Sequence, residues 1–76
     1  MTSPVSLQKK IAQVLDRAAS RADIIDAKPA SSKQCWYLAS LIARQRNAED
    51  EYGDLLLNTS FVLTSRRASS MIDMYK

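Results

Sequence analysis

Hydrophobic residues recur at intervals of three and four along much of the chain, and this spacing predicts amphipathic α-helices. The first helix is expected over about residues 4–25, with Ser3 as its N-cap and Pro4 at its first helical position. Polar side chains alternate with the apolar ones and define an outward face. The predicted inward face comprises Leu7, Ile11, Val14, Leu15, Ala18, Ala22 and Ile25, and the outward face comprises Gln8, Lys9, Gln13, Arg17 and Arg21.

A second helix is predicted over about residues 32–46, and it has a strong start signal. Ser31 and Gln34 have the spacing of a capping box, in which each side chain bonds the backbone of the other residue. Arg44 and Arg46 are expected in the last turn, where the carbonyl end of the helix dipole favours cations. The predicted inner stripe comprises Leu38, Leu41, Ile42 and Gln45, with Cys35 at its edge.

Two further helices are predicted, over about residues 48–57 and 65–75. Asn47 is a candidate N-cap for the third helix, in which Gly53 costs about 1 kcal/mol relative to Ala. The alternatives for this segment are a structured loop and an extension of the second helix. Thr64 is predicted to cap the fourth helix. The expected inward residues are Tyr52, Leu55 and Leu56 in the third helix and Ala68, Met71, Ile72 and Tyr75 in the fourth.

The segment from Phe61 to Leu63 is apolar and β-prone, but a lone strand would have no partner. We therefore expect an extended linker that buries its side chains, with Leu63 and Ala68 spaced as a hydrophobic staple. One Gly and two Pro in the whole chain also favour helices over a many-turned β fold. The predicted fold is a single all-α domain, residues 1–76, forming a bundle of three to four helices in which the first packs across the second and the last.

The formal net charge of +3 is unevenly distributed along the chain. Residues 1–46 carry eight basic and three acidic side chains, whereas residues 47–62 carry four acidic side chains and no basic one. A basic surface of this kind can meet a polyanion. The alternative is that the charged side chains simply form solvated helix faces.

The composition excludes several functional classes. With one Cys and no His, the chain cannot form an internal disulfide, a His/Cys zinc site or a His-based catalytic triad. The acidic side chains of residues 49–54 are expected to form a solvated helix start, so we predict no enzyme, no metal and no cofactor. The N-terminus lacks an apolar run typical of a signal peptide, and no stretch approaches membrane-spanning length, so a cytoplasmic protein without membrane contact is expected.

The outward face of the second helix is the local pattern that indicates a function. At about 100° per residue, Lys33, Trp36, Tyr37 and Arg44 fall on or beside this face. Cations that follow a backbone and rings on which bases stack are typical of proteins that bind single-stranded nucleic acids. As the single Trp of a small protein, however, Trp36 is expected to pack against the first helix, which would leave only weak, salt-sensitive binding by the cations.

Two clusters of residues resemble the opening and the close of a known kind of helical module. The first is Ala30-Ser31-Ser32-Lys33-Gln34 followed by Tyr37-Leu38 and Leu41, and the second is Leu63-Thr64, Ala68-Ser69 and Ile72. Over residues 30–76 the chain is similar to C-terminal tail domains of phage and bacterial DNA-processing proteins, including exonuclease-like and recombination-associated ones. The resemblance implies a small helical unit with a role in DNA metabolism.

The chain departs from this family at the start of the fourth helix. The family usually has an acidic residue three positions after the closing Thr, but Arg67 stands there, preceded by Arg66. Cations at the positive end of a helix cost about a few tenths of a kcal/mol, and a bound phosphate would relieve that conflict. The alternative is that both arginines face solvent or pair with the acidic residues 49–54.

Two functions from different classes follow from these patterns. The first is a non-catalytic nucleic-acid-binding module that favours single-stranded DNA and uses Lys33, Trp36, Tyr37, Arg44, Arg66 and Arg67. The second is a small phage-type inhibitor, such as an anti-CRISPR protein, that binds a host protein complex through the same Trp, Tyr and Arg side chains. A helix-turn-helix regulator ranks third, because residues 58–63 exceed the usual short turn. Homodimerisation is left open.

Overall fold

A computed structural model of the protein describes the backbone of residues 4–76 and the side chains from residue 6 onward. These residues form four α-helices and no strand, which confirms the predicted all-α class. The predicted Ser3 cap lies outside the described residues. Within residues 4–76, no helix combines the length and the apolar character needed to cross a membrane. The helices are α1 (Pro4–Ile24), α2 (Ser32–Ala43), α3 (Ala48–Leu57) and α4 (Ser65–Tyr75).

The core forms where α1 and α4 pack against α2. Its largest fully buried side chains are Ile11, Leu15, Cys35, Leu38, Ile42 and Leu63. The expectation that α1 also packs on the last helix is wrong, because α1 contacts α2 and α3 while α4 contacts α2. The extended linker lies along α1 instead, where the Leu63 N–H donates to the Ala18 carbonyl at 3.1 Å.

α1 ends in a Schellman motif whose left-handed residue is Asp26, with φ 59°. The Ala27 N–H donates to the Ala22 carbonyl at 2.9 Å, and the Asp26 N–H donates to the Asp23 carbonyl at 3.1 Å. The chain therefore turns away just after Ile24. For this reason the predicted inward position of Ile25 is wrong, and its side chain is 62% exposed.

α2 ends at Ala43, earlier than the predicted end at residue 46. Arg44 is its C-cap and Arg46 lies in the following turn, so the expected cations of the last turn are absent from α2. The chain turns here to bring Ala48 into the interior, where that residue is 5% exposed. Asn47 occupies the N-cap position of α3, but its side chain makes no capping hydrogen bond.

α3 is a helix of its own, so the loop and the extension of α2 are both ruled out for this segment. Tyr52 and Leu55 pack against the core as predicted. The inward prediction for Leu56 is wrong, because that side chain is 46% exposed. Ala48 is the one fully buried residue of α3, which makes this helix the most peripheral of the four described.

The linker before α4 buries Leu63 completely and Phe61 and Val62 partly, as expected. Residues 61–63 form no strand, as predicted, but the next residue pairs, because Pro29 and Thr64 form an isolated antiparallel bridge. Hydrogen bonds on either side of this bridge join residues 28–30 to residues 63–65. The linker is therefore fixed against the segment that precedes α2.

Candidate functional site

The start of α2 is set by the predicted capping box, which the structure confirms. The Gln34 N–H donates to the Ser31 hydroxyl at 3.1 Å, and the Ser31 N–H donates to the Gln34 side-chain oxygen at 2.9 Å. The inner positions of the helix are buried among the other three helices and the linker. Those positions are Cys35, Leu38, Ala39, Leu41 and Ile42. With that face covered, the opposite face of α2 is left at the surface.

Two aromatic rings lie on this uncovered face. Trp36 is 46% exposed and Tyr37 is 45% exposed, so the expectation that Trp36 is buried against the first helix is wrong. Both helices contribute small side chains to the core, including the buried Ala12 of α1 and Ala39 of α2. A close-packed core built from such small side chains leaves little space for an indole ring. The Trp36 backbone still contacts α1, because its carbonyl accepts a hydrogen bond from the Gln8 amide at 3.3 Å.

Exposed cations stand at both ends of the same face. Lys33 is one residue into α2, and Arg44 is the C-cap with a helical φ of −84° and ψ of −10°. At 1.5 Å per residue these two positions are about 16 Å apart along the helix axis. On a helical projection Lys33, Trp36, Tyr37 and Arg44 fall within an arc of about 100°. We call these four residues the α2 stripe.

The cations of the stripe are not neutralised by partners. Among the residues whose side chains the structure describes, no Lys or Arg lies within 4.0 Å of an acidic oxygen. The hydroxyl of Ser40, which lies between the rings and Arg44 along the helix, donates to the Tyr37 carbonyl at 2.7 Å. The stripe thus combines two half-exposed rings with two free positive charges on one rigid element.

Arg66 and Arg67 lie in the first turn of α4 and point to different surroundings. Arg66 is exposed and lines a groove that also contains Lys28. The guanidinium carbon of Arg67 lies 4.9 Å from the centroid of the Phe61 ring, which is a cation–π contact. Neither arginine pairs with an acidic side chain of residues 49–54. The Thr64 cap forms despite the missing acid, with the Arg67 N–H donating to the Thr64 hydroxyl at 3.1 Å.

The starts of α2 and α4 are joined by side-chain hydrogen bonds. The Gln34 amide donates to the Ser65 carbonyl and to the Ser69 hydroxyl, both at 3.3 Å. Because Gln34 follows Lys33 and Ser65 precedes Arg66, the fold brings the first cation of the stripe and Arg66 to the same end of the molecule. Arg67 is turned toward Phe61 instead and does not join the stripe.

Sequence reasoning missed Lys28 as a candidate. Its carbonyl accepts a hydrogen bond from the Ser65 N–H at 2.9 Å, which fixes Lys28 beside the start of α4. This contact joins segments that are far apart in the chain, so no local pattern could have paired Lys28 with Arg66. Lys28 precedes Pro29, and this position predicts only that the Lys28 backbone is extended.

The single thiol is unsuited to chemistry. Cys35 is 1% exposed, and burial raises the pKa of its thiol to about 12, with a further contribution from the adjacent Asp16 carboxylate. A thiol needs its thiolate form to act as a nucleophile or a metal ligand. Within the part of the chain that the structure describes, no cluster of three or more His, Cys, Asp or Glu residues is suited to hold a metal ion.

Comparison of the chain with protein-family models, with curated proteins and with solved structures finds no match in any of the three.

Proposed function

We propose that the protein binds single-stranded DNA without catalysis, through the α2 stripe. The observation that carries the proposal is the pair of half-exposed rings, Trp36 and Tyr37, on a helix face that begins and ends with an unpaired cation. Bases stack on such rings while cations neutralise the phosphates that connect them. We place this role in phage or bacterial DNA metabolism, as the similarity of residues 30–76 to C-terminal tail domains of DNA-processing proteins implies.

The rings explain the preference for single strands. Stacking on an aromatic side chain needs the flat face of an unpaired base, and a duplex keeps those faces covered by neighbouring base pairs. Every base has such a face. Recognition by Trp36 and Tyr37 is therefore expected to tolerate different sequences, and the cations make it sensitive to salt.

Replacing the ring tests this proposal directly. Trp36→Ala removes one stacking platform and is expected to weaken binding of an end-labelled oligothymidylate by about 1–3 kcal/mol, or roughly 5- to 150-fold in Kd. Trp36→Phe keeps an aromatic face and is expected to retain much of the affinity. The measurement is fluorescence anisotropy of the labelled strand at low salt, repeated with the duplex form.

Leu57→Ala serves as the matched control, because it removes an apolar side chain that is 83% exposed and lies on α3. It is expected to leave the Kd unchanged. Wild-type protein that binds neither the single strand nor the duplex at low salt would overturn the proposal, as would a Trp36→Ala variant that binds like the Leu57→Ala variant.

A second candidate function is binding to a host protein complex, as in a small phage-type inhibitor. It is favoured by the apolar side chains that lie at the surface outside the stripe, since Ile24 and Leu57 are both 83% exposed and Met74 is 71% exposed. Trp, Tyr and Arg are also enriched among the residues that dominate protein interfaces. Affinity capture from a host lysate after nuclease treatment tests it. A defined complex that depends on Trp36 would favour this function over the first.

A further inference from the structure

A groove beside the start of α4 carries two cations that the stripe does not use. Lys28 and Arg66 line it, together with the hydroxyl-bearing Ser69 and Ser70 and the carboxylate of Asp73. Both cations are exposed, and neither is paired with Asp73 or with another acid in the described chain. None of the described residues that line the groove is aromatic. It therefore offers positive charge and hydroxyl groups, but no surface for base stacking.

The position of these cations is set by the fold. The Pro29–Thr64 bridge and the hydrogen bond from the Ser65 N–H to the Lys28 carbonyl hold Lys28 against the first turn of α4. Arg66 follows Ser65 directly. Two cations that are far apart in the chain are thus brought to one groove, although like charges in proximity repel one another. An anion between them would remove that repulsion.

Two hydrogen bonds place the groove beside the start of α2. Ser65 and Ser69 line the groove, and both are hydrogen-bonded to the Gln34 side chain. Gln34 directly follows Lys33, the cation at the starting end of the stripe. The groove and the starting end of the stripe therefore lie at the same end of α2.

We propose that the groove lined by Lys28 and Arg66 is a second subsite, which binds the phosphate backbone of the same single strand after it leaves the α2 stripe. This inference rests on the proposed function. The occupant is a phosphodiester backbone because the groove supplies charge and hydroxyl donors without a ring, and phosphate contacts of this kind position a strand without reading its sequence. Asp73 opposes the phosphates and lowers the affinity of this subsite.

The test is a salt titration of the double variant Lys28→Ala/Arg66→Ala. We expect its affinity for an oligothymidylate of about 20 nucleotides to fall roughly tenfold at low salt, and the slope of log K against log salt to become shallower by about 1.4, or about 0.7 for each lost phosphate contact. Asp73→Asn is expected to tighten binding by about twofold, because it removes a charge that repels the backbone.

The matched control is Lys10→Ala/Arg17→Ala, which removes the same two residue types from exposed positions on α1. Asp54→Asn on α3 is the control for Asp73→Asn. Each control has the same net charge as its test variant, so a general effect of charge would change both equally. Thermal unfolding of every variant checks that the fold is kept.

The outcomes separate the two proposals. If the wild-type protein binds the strand and Trp36→Ala weakens binding, but the groove variant behaves like the α1 control, the second subsite is wrong and the proposed function stands. If the groove variant alone weakens binding and Trp36→Ala has no effect, the stripe is wrong, and so is the subsite as a continuation of it. Loss in both variants with an unchanged α1 control is the expected result.

Discussion

At the scale of single residues, Trp36 and Tyr37 are each partly packed against the protein and partly exposed. Each ring is close to half-buried, so part of its surface is held against the protein while the rest stays open to a partner. Trp and Tyr have only two side-chain torsions each, and fixing them in a complex costs little conformational entropy. Half-burial on a helix lowers that cost further, which is why these two residues are well suited to bind a flat ligand.

The hydrogen bond between Tyr75 and Glu51 gives a prediction about stability. The Tyr75 hydroxyl donates to a Glu51 carboxylate oxygen at 2.8 Å and ties α4 to α3. Removing it with Tyr75→Phe is expected to lower the free energy of unfolding by about 1 kcal/mol at neutral pH. Urea unfolding of both proteins measures the difference, and equal stabilities would show that the bond contributes nothing.

The same residue predicts how that difference depends on pH. Partial burial, together with the hydrogen bond and the negative charge of Glu51, raises the pKa of Tyr75 from 10 to about 12. A phenol with a raised pKa in the folded state contributes its full stability below pH 10 and loses it as pH rises toward 12. The gap in unfolding free energy between wild type and Tyr75→Phe should therefore narrow over that range. A gap that stays constant or widens would contradict this assignment.

At the scale of helices, local capping signals determine where α2 and α4 begin. The Ser31 capping box predicts a loss of about 1 kcal/mol in unfolding free energy for Ser31→Ala, because one N–H at the helix start would lose its acceptor. Ser32→Ala changes the exposed neighbouring residue and is the control, expected to stay within about 0.5 kcal/mol of wild type. Urea unfolding of the two variants shows whether the loss of stability comes from the missing cap or from any replacement of Ser by Ala in this segment.

The starts of α2 and α4 and the ends of α3 and α4 could be predicted from the sequence, whereas the end of α2 was predicted three residues too late. Ser31 and Thr64 act within four residues of the backbone groups that they satisfy, so their spacing is visible in the chain. α2 ends at Ala43 without Gly or Pro, because the following residues turn to bury Ala48. α1 ends at Ile24, and the motif that follows it places Asp26 in a left-handed conformation that Gly adopts more readily. The end of α2 thus depends on tertiary packing that periodicity does not report.

The candidate site, too, could be predicted from the sequence only in part. The helical period places Lys33, Trp36, Tyr37 and Arg44 on one face, because that grouping needs only local geometry, and all four residues are exposed. It did not establish whether Trp36 is exposed, since that depends on how closely Ala-rich α1 approaches α2. It also grouped Arg66 with Arg67, although the fold directs Arg67 to Phe61 and Arg66 to the groove with Lys28.

At the scale of the whole molecule, α2 is the central helix, since it contacts each of the other three. The stripe occupies the one side of α2 that these contacts leave open. A face supported in this way keeps its side chains in a fixed arrangement, which favours binding because little order has to be created on association. The basic groove beside α4 shares this support through Gln34 and the Pro29–Thr64 bridge.

The peripheral position of α3 predicts that this helix opens before the rest of the fold. α3 buries only Ala48 fully among its described residues and contains Gly53, the single Gly of the chain. A segment with few buried apolar contacts opens at a lower free energy than the core. Native-state hydrogen exchange is therefore expected to show faster exchange for α3 amides than for α1 and α2 amides. Exchange of all helices as one unit would contradict this order.

Gly53→Ala tests the low local stability of α3 by strengthening this helix. A Cβ atom built at Gly53 meets no heavy atom within 4 Å apart from its chain neighbours and the backbone of its own helix, so Ala fits without displacing another part of the protein. Ala also loses less backbone entropy than Gly in a helix, and the variant should gain about 0.5–1 kcal/mol of stability, with slower exchange of the α3 amides. Gln13→Ala places the same residue on the exposed face of α1 and should leave α3 exchange unchanged. If Gly53→Ala speeds exchange in α3 instead, the helix is held by contacts that the glycine permits, and its peripheral position does not make it the weakest part of the fold.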